Sequence, residues 1–342
     1  MEKWETANPL ADPGWDDLIL THPGATFFHS TAWARVLHAT YRAAPCHLVR
    51  RGEFHLRDLL PVMEMRSPLT GRRGVSLPFT DQCDPLLHED TGADDAFARV
   101  CQAGMERGWV FWEGRGDWGV SGPSVSHWGH DLKLDRDPDR VFDRFSPAVR
   151  RAIRKAEKEG LSVRTETTPE SMRAFFELHC QTRRKHGVPP QPVEFFENIQ
   201  REVLAKEAGF VALASLRNRP VAASVFFHFG SKAIYKFGAS DSAFLALRGN
   251  NLVMFEAIRW LSRHGIEQLD FGRTSKSNEG LRRFKAGFGA AEREIHTCRY
   301  DFRMQQWIGG RDQAQGWHNR VFGWMPLPLL RLAGRLLYRH LA

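Results

Sequence analysis

The sequence predicts an α/β protein with two domains. Its 342 residues are enough for two hydrophobic cores of ordinary size. Helical and strand-like patterns alternate over roughly the first 130 residues, which is typical of an α/β unit. Helices followed by strands recur after residue 146, and the run DRDPD at 135–139 has the composition of a connecting segment. This run therefore predicts the boundary between the two domains.

Composition and charge place the chain among globular proteins with an anionic partner. Hydrophobic residues make up 42% and charged residues 26% of the sequence. No apolar run approaches the roughly 20 residues of a transmembrane helix, and residues 1–17 lack the pattern of a signal peptide. We therefore expect a cytoplasmic protein. The net charge of +8 favours a nucleotide, tRNA, phospholipid or phosphorylated carrier as partner, without choosing among them.

Cysteines and histidines give no pattern of a disulfide framework or a metal site. The five cysteines are scattered and form no CxxC pair, and the 15 histidines lack ligand spacing, so no metal is expected. The simpler interpretation is that the cysteines are small buried side chains. The alternative interpretation is that one of them is catalytic. The sequence contains no GxSxG, HExxH or GxxxxGK[ST] motif, which argues against the corresponding hydrolases, metalloproteases and nucleotide-binding proteins.

Segments of the first half follow each other as helix and strand. The pattern predicts a helix at 26–41, strands at 47–50 and 59–65, a strand and an Asp81-containing loop within 71–87, a helix at 97–107 and a strand at 109–113.

The second half begins with a well-defined helix start. Ser146 is a good N-cap and Pro147 suits the first helical position. Seven Arg or Lys against two Glu make residues 144–164 strongly basic. Further patterns predict helices at 170–185 and 193–208, a hairpin of strands 210–216 and 221–229, and a strand at 233–237.

A helix and a strand around residue 260 organise this half. Apolar residues at three-residue spacing predict a helix from Asn250 to His264–Gly265. The strand expected at 266–272 then carries Asp270 and Arg273 into a polar loop. Charged residues at the end of a strand usually indicate a site.

Several motifs resemble one known family. They are Asp270–Thr274 (DFGRT), Asn278–Leu281 (NEGL), Phe284-Lys285, Gly287–Gly289, and upstream the runs 146–151, 155–160 and 182–187. Residues 145–300 with these motifs resemble the Fem-type (FemABX-like) branch of the GNAT acyltransferase superfamily. This branch holds interpeptide-bridge aminoacyltransferases and FemAB-like (BioF2-like) acetyltransferases. The resemblance implies two tandem GNAT-like domains at 1–140 and 141–300, followed by a basic tail at 301–342.

The resemblance also implies an activity. We expect transfer of an acyl or aminoacyl group to an amine or hydroxyl of a cell-envelope, peptidoglycan or exopolysaccharide precursor, small or lipid-linked. The expected co-substrate is acyl-CoA or aminoacyl-tRNA, and no cofactor is expected to be permanently bound. One alternative is a tRNA-dependent peptidyltransferase acting on a small-molecule or peptide acceptor. Another is a non-catalytic membrane-surface or RNA-binding protein on a degenerate GNAT fold.

The expected catalytic residues are Asp270, Arg273 and Lys285. The two cations suit negative charge on the donor or acceptor, and Asp270 suits either a proton or an ion pair with Arg273. A purely structural salt bridge is the alternative for Asp270. Replacing Lys285 by alanine is expected to abolish transfer with little change in Tm.

Binding residues are predicted on both sides of this stretch. Lys236 is expected to point from its strand to a polar cleft, although an edge-strand lysine is ordinary. A loop with a single glycine replaces the glycine-rich pyrophosphate loop of acetyl-CoA enzymes, which leaves an aminoacyl-tRNA donor open. The expected substrate-binding residues are Asp81, Arg183, His186 and Lys236, and the expected donor-binding residues are Arg248, Gly249, Asn250 and Lys276.

The tail from residue 301 carries six Arg and two Asp. Its last helix is predicted to combine a stripe of Arg331, Arg335 and Arg339 with many leucines. Such a helix can lie on an anionic membrane surface through residues 320–342, at the inner face of the cytoplasmic membrane. The alternative is a helix docked on the protein with its arginines in water. The sequence does not indicate an oligomeric state.

Overall fold

A computed structural model describes residues 3–53, 55–120, 125–309 and 317–341. They form two compact units, each assembled from separate stretches of chain. The first unit comprises residues 1–128, 294–313 and 338–342, and the second comprises 129–293 and 314–337. The division into domains at 1–140, 141–300 and 301–342 stays a prediction.

Helices and strands alternate as the sequence predicts. To residue 143 they are β1 (Glu5–Ala7), α1 (Trp15–Leu20), α2 (Thr31–Tyr41), β2 (Ala44–Pro45), β3 (His47–Arg51), β4 (Leu56–Leu60), β5 (Met63–Ser67), β6 (Gly71–Val75), α3 (Ala93–Arg107), β7 (Phe111–Arg115), β8 (Val125–Lys133) and α4 (Pro138–Asp143).

Later elements include the two longest strands of the described residues. They are α5 (Pro147–Lys158), β9 (Leu161–Glu166), α6 (Pro169–Lys185), α7 (Val193–Glu202), β10 (Gly209–Leu216), β11 (Arg219–Phe229), β12 (Lys232–Ser240), α8 (Gly249–Arg263), β13 (Gln268–Asp270), β14 (Thr274–Ser275), α9 (Glu279–Gly287), β15 (Ala291–Asp301), β16 (Gln306–Trp307), α10 (Trp317–Trp324) and α11 (Leu327–Leu341).

The first unit contains two sets of strands around aromatic cores. One is antiparallel in the order β1-β3-β4, and the other runs β2-β5-β6-β7 and continues to β15. The strand predicted at 59–65 is two strands, β4 and β5, separated by Pro61-Val62. Proline has no N–H to donate to a sheet, which accounts for the break. The helix predicted from residue 26 begins at Thr31, because Ser30 is its N-cap and accepts the N–H of Trp33.

The second unit is a sheet in the order β8-β13-β12-β11-β10-β9, counting the part of β8 from residue 129. Strands β12 and β13 are parallel, and the other pairs in this order are antiparallel. Helix α8 connects the parallel pair, as a crossover must. Helices α4, α5 and α8 share one hydrophobic cluster with the sheet, whereas α6 and α7 contact Phe237 of β12 through Phe175 and Phe196.

Several predicted boundaries in this unit are confirmed. Ser146 accepts the N–H of Val149 and Pro147 opens α5, as predicted. The helix predicted at 193–208 ends at Glu202 and is followed by one 3-10 turn. The predicted start of the next helix at Asn250 differs by one residue from the observed start. Helix α8 begins one residue earlier, at Gly249, because Arg248 adopts a left-handed conformation with φ of 63° and ends the preceding 3-10 turn.

Helix α11 is docked on the second unit through its polar and small residues. Arg331 pairs with Glu177 at 2.6 Å and Arg335 with Glu194 at 3.1 Å. Gly334 is buried, and a Cβ at this position would lie 2.0 Å from the carbonyl oxygen of Pro190. Arg335 is nevertheless exposed and Arg331 half-buried, so the docked helix leaves much of its arginine stripe in contact with water. No helix within the described ranges has the length and apolarity needed to cross a membrane.

Candidate functional site

Strands β12 and β13 separate after a short parallel stretch. Their pairing comprises Lys232 with Gln268, Ala233 with Leu269 and Ile234 with Asp270. Strand β13 ends there, whereas β12 continues to Ser240. We call residues 235–240 together with the segment 271–275 the strand fork. Parallel strands that diverge at their carboxyl ends leave a crevice where α/β proteins commonly bind ligands.

A β-bulge lies at the start of the strand fork. Val225 of β11 is opposite Phe237 and the next residue, Phe226, is opposite Tyr235, so Lys236 is the extra residue of β12. The bulge has a visible effect on packing, because Tyr235 joins the cluster on the α8 side whereas Phe237 contacts α6 and α7. Residues two apart in a regular strand would share a face. Lys236 is therefore carried by a kink of the kind that often re-aims side chains at active sites.

Ser240, at the end of β12, joins two helix ends to the strand fork. The hydroxyl of Thr182 in α6 accepts the N–H of Ser240 at 3.1 Å and donates to its carbonyl oxygen at 3.3 Å. In the first turn of α8, the side-chain amide of Asn250 donates to the Ser240 hydroxyl at 3.4 Å. Both the C-terminal end of α6 and the N-terminal end of α8 are thus fixed beside β12.

The N-terminus of α8 carries the predicted donor-binding residues Arg248, Gly249 and Asn250. Arg248 is exposed and Gly249 is buried against Ala222 of β11. The first N–H groups of a helix have no partner within it and attract anions together with the helix dipole. Lys276, the fourth predicted donor-binding residue, is exposed in the loop before α9.

The loop after β13 is held by two of the predicted catalytic residues. Oδ1 of Asp270 accepts the N–H of Gly272 at 2.7 Å. Nζ of Lys285 donates to the carbonyl oxygens of Gly272 at 2.7 Å and Arg273 at 3.2 Å. Gly272 has a φ of 67°, a conformation that glycine adopts most easily. Lys285 is 2% exposed, so its geometry supports a positioning role for the loop, and its catalytic role stays a prediction.

The other carboxylate oxygen of Asp270 faces Arg293, whose guanidinium is 3.7 Å away. Arg293 also forms an ion pair with Asp131, which accepts a hydrogen bond from Gln268. The structural salt bridge considered for Asp270 is therefore present, with Arg293 as partner. Arg273 is exposed on the loop, where it remains accessible to a ligand.

A buried histidine lies behind this loop. Nε2 of His130 is 3.3 Å from Glu292, and burial, together with the charge of Lys285, lowers the pKa of His130. The imidazole is thus held in its neutral form near a buried ammonium group. This arrangement was not predicted from the sequence, because the partners of His130 lie far away along the chain.

The predicted substrate-binding residues are divided between the two units. Arg183 donates from Nε to the carbonyl oxygen of Pro189 at 3.2 Å, at the end of α6 that Thr182 fixes to β12. His186 is exposed as the C-cap of this helix, and its pKa is lowered by desolvation and by the nearby cations Lys185 and Arg183. Asp81 belongs to the first unit, in the segment after β6. Its role stays a prediction.

Tyr235 is a candidate that the sequence did not single out. It is the first residue of the strand fork, and burial raises the pKa of its phenol to about 12 despite a hydrogen bond with Ser224. The phenol therefore stays protonated at neutral pH and can donate a proton or a hydrogen bond. The sequence alone shows Tyr235 only as an aromatic residue of a strand. Its position at the start of the strand fork follows from the pairing of β12 with β13.

Thiol and metal chemistry find no support in the described residues. Cys46, Cys83, Cys180 and Cys298 are buried, as predicted. Burial raises the pKa of Cys46 and of Cys298 to about 12, which disfavours the nucleophilic thiolate. Within the ranges that the structure covers, no three His, Cys, Asp or Glu side chains are grouped to hold a metal ion.

Residues 144–286 match the family model of an acetyltransferase (GNAT) domain. This stretch runs from the residues just before α5 to α9 and includes the whole strand fork. The sequence shows no similarity to a curated protein.

Solved structures show the fold of the whole chain. FemX has a TM-score of 0.67 at 14% sequence identity, with 86% of this chain and 96% of that chain covered. A tandem GNAT protein from the clavulanic acid biosynthesis pathway has a TM-score of 0.55 at 13% identity, covering 88% and 99%. L-PGS from Bacillus licheniformis has a TM-score of 0.52 at 13% identity, covering 97% and 98%. The predicted fold of two tandem GNAT domains is confirmed.

Proposed function

We propose that the protein is an acyltransferase, because residues 144–286 match the model of a GNAT acetyltransferase domain and the chain has the tandem GNAT fold. It transfers an acyl group from an acyl-CoA to an amine or hydroxyl, and the reaction takes place in the strand fork. The observation that carries the proposal is the divergence of β12 from β13 beside the N-terminus of α8.

The two sides of the strand fork suit two substrates. The N-terminus of α8, with the exposed Arg248, suits the phosphates of the donor. Beyond Ile234 the strand β12 runs on without its parallel neighbour, within the described residues, so a thioester arm can lie along its edge. Lys236 and Arg273 supply positive charge for a carboxylate or phosphate of the acceptor.

The reaction is a direct transfer. The lone pair of the acceptor amine attacks the thioester carbonyl carbon, the C–N bond forms and the C–S bond breaks. The thiolate leaves with the electron pair and receives a proton, while the amine loses one to solvent. Tyr235 is suited to donate a hydrogen bond to the leaving thiolate because its phenol is neutral, and the thiolate takes its proton from solvent. Asp270 and Lys285 contribute by holding Gly272, which fixes the wall of the strand fork opposite β12.

The acceptor that we propose is a cell-envelope, peptidoglycan or exopolysaccharide precursor. Support comes from the Fem-type motifs at 270–289 and from the likeness in fold to FemX. Envelope and polysaccharide precursors often carry phosphate or carboxylate groups, which match the cations of the strand fork.

An aminoacyl-tRNA is the second donor to consider. Helix α5 exposes Arg151, Arg154, Lys155 and Lys158, while its apolar residues are buried. Such a basic face suits a nucleic-acid backbone. The loop before α8 also has one glycine, so the usual pyrophosphate cradle is reduced.

Calorimetric binding of acetyl-CoA, charged tRNA and uncharged tRNA at two salt concentrations tests the proposal. We expect saturable CoA binding, weakened about tenfold in Arg248→Gly because one charged phosphate contact is lost. Arg217→Gly is the matched control, since Arg217 also has a positive φ, of 49°, but lies in the β10–β11 turn.

Each other outcome has a definite meaning. Preference for charged over uncharged tRNA, without CoA binding, would replace the acyl-CoA donor by aminoacyl-tRNA and support a peptidyltransferase. Equal, salt-sensitive binding of both tRNAs and no CoA binding would contradict acyl transfer and favour a non-catalytic RNA-binding protein. Equal weakening of CoA binding in both variants would contradict the role given to Arg248.

A further inference from the structure

Exposed apolar side chains concentrate on the last two helices. Among the described residues of α10, Val321 is 52% and Trp324 is 88% exposed. On α11, Leu329, Leu332 and Leu336 are each at least half exposed. Isolated exposed apolar residues are ordinary, whereas a group of this size within 16 residues indicates an interaction surface.

The three leucines form one stripe on the exposed side of α11, and Leu332 also lines a cavity beside α6 and α7. The leucines are three and four residues apart and so lie on one side of a helix. The opposite side of α11 is occupied, because Leu330 and Gly334 are buried and the Cβ position of Gly334 faces Pro190. The exposure of the leucines is therefore not a result of loose packing of α11 on the protein. The docked helix presents the stripe to solvent.

Arginines of α11 lie along one edge of the stripe, and one of them, Arg335, is paired with Glu194. Residues 317–341 contain no Asp or Glu but include Arg320, Arg335 and Arg339, all exposed. Arg335 follows Leu332 on the helix surface and Arg339 follows Leu336. An apolar stripe edged by arginines, with an exposed tryptophan nearby, has the pattern of a helix that lies at a membrane surface.

A basic pocket adjoins the same helices. It has a volume of about 640 Å³ and is lined by Arg184 and Lys185 at the end of α6 and by Arg320 and Trp324 of α10, among others. Among the described residues, no carboxylate forms an ion pair with Arg184, Lys185 or Arg320. Three cations without such partners and a tryptophan wall suit the phosphate of a lipid headgroup.

We propose that α10 and α11 bind the surface of an anionic phospholipid membrane. Leu329, Leu332 and Leu336 enter the boundary between headgroups and acyl chains, while Arg184, Lys185 and Arg320 contact lipid phosphates. A second copy of the chain is a less favoured partner for this surface. A two-fold contact would place these arginines against the same arginines of the other copy, and like charges at an interface disfavour association.

Vesicle co-sedimentation of the full chain tests this inference without reference to acyl transfer. One set of vesicles is phosphatidylcholine, and the other contains about one-third phosphatidylglycerol to give an anionic surface. We expect binding to the anionic vesicles only, reduced about tenfold or more in L329S/L332S/L336S. R184Q/K185Q/R320Q is expected to lose about fivefold per charge near the surface.

Two matched control variants distinguish binding through this surface from non-specific hydrophobic or electrostatic binding to vesicles. L20S/L69S/M105S removes three exposed apolar residues of the first unit. R136Q/R140Q/R303Q removes three exposed arginines from other places. Both controls are expected to bind vesicles like the unaltered protein. The emission of Trp324, measured as the difference from Trp324→Phe, is expected to shift to shorter wavelength with anionic vesicles.

Four results would overturn the inference. They are absence of binding to anionic vesicles, equal binding by the leucine-stripe variant, equal loss in the controls, and a change from dimer to monomer in the stripe variant without any vesicle binding. The last would assign the surface to a second copy. Because the substituted leucines are at least half exposed, circular dichroism and Tm are expected to be unchanged, so a loss of binding is not a loss of folding.

Discussion

Asp270 and Lys285 hold opposite sides of the same residue. Oδ1 of Asp270 accepts the N–H of Gly272, and Nζ of Lys285 donates to its carbonyl oxygen, each at 2.7 Å. A carboxylate and an ammonium group thus fix a glycine with positive φ where the chain leaves β13. Both residues were predicted to be catalytic together with Arg273, which stays a prediction, and their contacts fix the loop that forms one wall of the strand fork.

Replacement of Lys285 by methionine is expected to destabilise the protein. The buried carbonyl group of Gly272 and the partly buried one of Arg273 would lose their donor, which costs about 2 kcal/mol in the free energy of unfolding. This differs from the small change in Tm expected from the sequence, because the side chain is buried. Urea unfolding measures the effect, with Lys276→Met as the exposed control, expected to change the free energy by less than about 0.5 kcal/mol. Equal values for both variants would contradict the positioning role.

Asparagine is expected to replace Asp270 better than alanine does. Asn retains a side-chain oxygen for the N–H of Gly272, whereas Ala leaves that group without its acceptor. We expect Asp270→Asn to keep most of the transfer rate and Asp270→Ala to lose about tenfold or more. If Asp270 were instead the base that takes the proton, both variants would lose activity alike, and steady-state kcat across pH distinguishes the two results.

Acidification is expected to weaken the second unit through His179. Burial, and then the charge of Arg183, lower the pKa of this histidine from 6.5 to about 3. The unfolded chain takes up a proton below pH 6.5 and the folded chain does not, so stability is complete above pH 6.5 and falls as pH decreases. From pH 7 to 5 the loss is on the order of 2 kcal/mol.

The variant His179→Gln tests this directly. Its free energy of urea unfolding at pH 7 and at pH 5 should differ less than that of the unaltered protein. A residual dependence is expected from His47 of the first unit, whose pKa burial lowers to about 4. An unchanged difference between the two pH values would exclude His179 as the source.

Leucine at position 334 is expected to displace α11. The Cβ would lie 2.0 Å from the carbonyl oxygen of Pro190, so the helix has to move and loses its ion pairs with Glu177 and Glu194. Overpacking of this kind costs about 1–3 kcal/mol. Hydrogen exchange of the amides of α11 should accelerate in Gly334→Leu and stay slow in Ala333→Leu, where the side chain is half-buried. Equal exchange in both variants would show that Gly334 is not a docking contact.

Local patterns predicted the elements well because their causes are local. The apolar spacing within 252–261 reflects burial of one face of α8, and the N-cap Ser146 acts through a hydrogen bond three residues away. The order of strands and helices then agreed with the tandem GNAT fold. A predicted helix boundary differed from the structure where a single backbone conformation sets the start of the helix, as at Arg248 with its positive φ.

Site roles depended on contacts that sequence does not contain. Charged residues at the end of β13 predicted a site there, and this stays a prediction. The hydrogen-bond partners of Asp270 and Lys285 are backbone groups that only the fold brings near. Lys236 was expected to point to a cleft. The structure shows in addition that Lys236 is the extra residue of a β-bulge, which depends on the register with β11 and is not visible in the sequence. The orientation of α11 likewise followed from glutamates of α6 and α7, far away in the sequence.

The separate stretches of the first unit have a consequence for how the chain is made. Arg73 is buried and donates to the carbonyl oxygen of His340 at 3.0 Å. On the ribosome, the guanidinium of Arg73 lacks this acceptor until residue 340 has been synthesised and has left the exit tunnel. The early-made half has to wait in an incomplete state, so chaperone demand during translation should be set by the last helix rather than by the first.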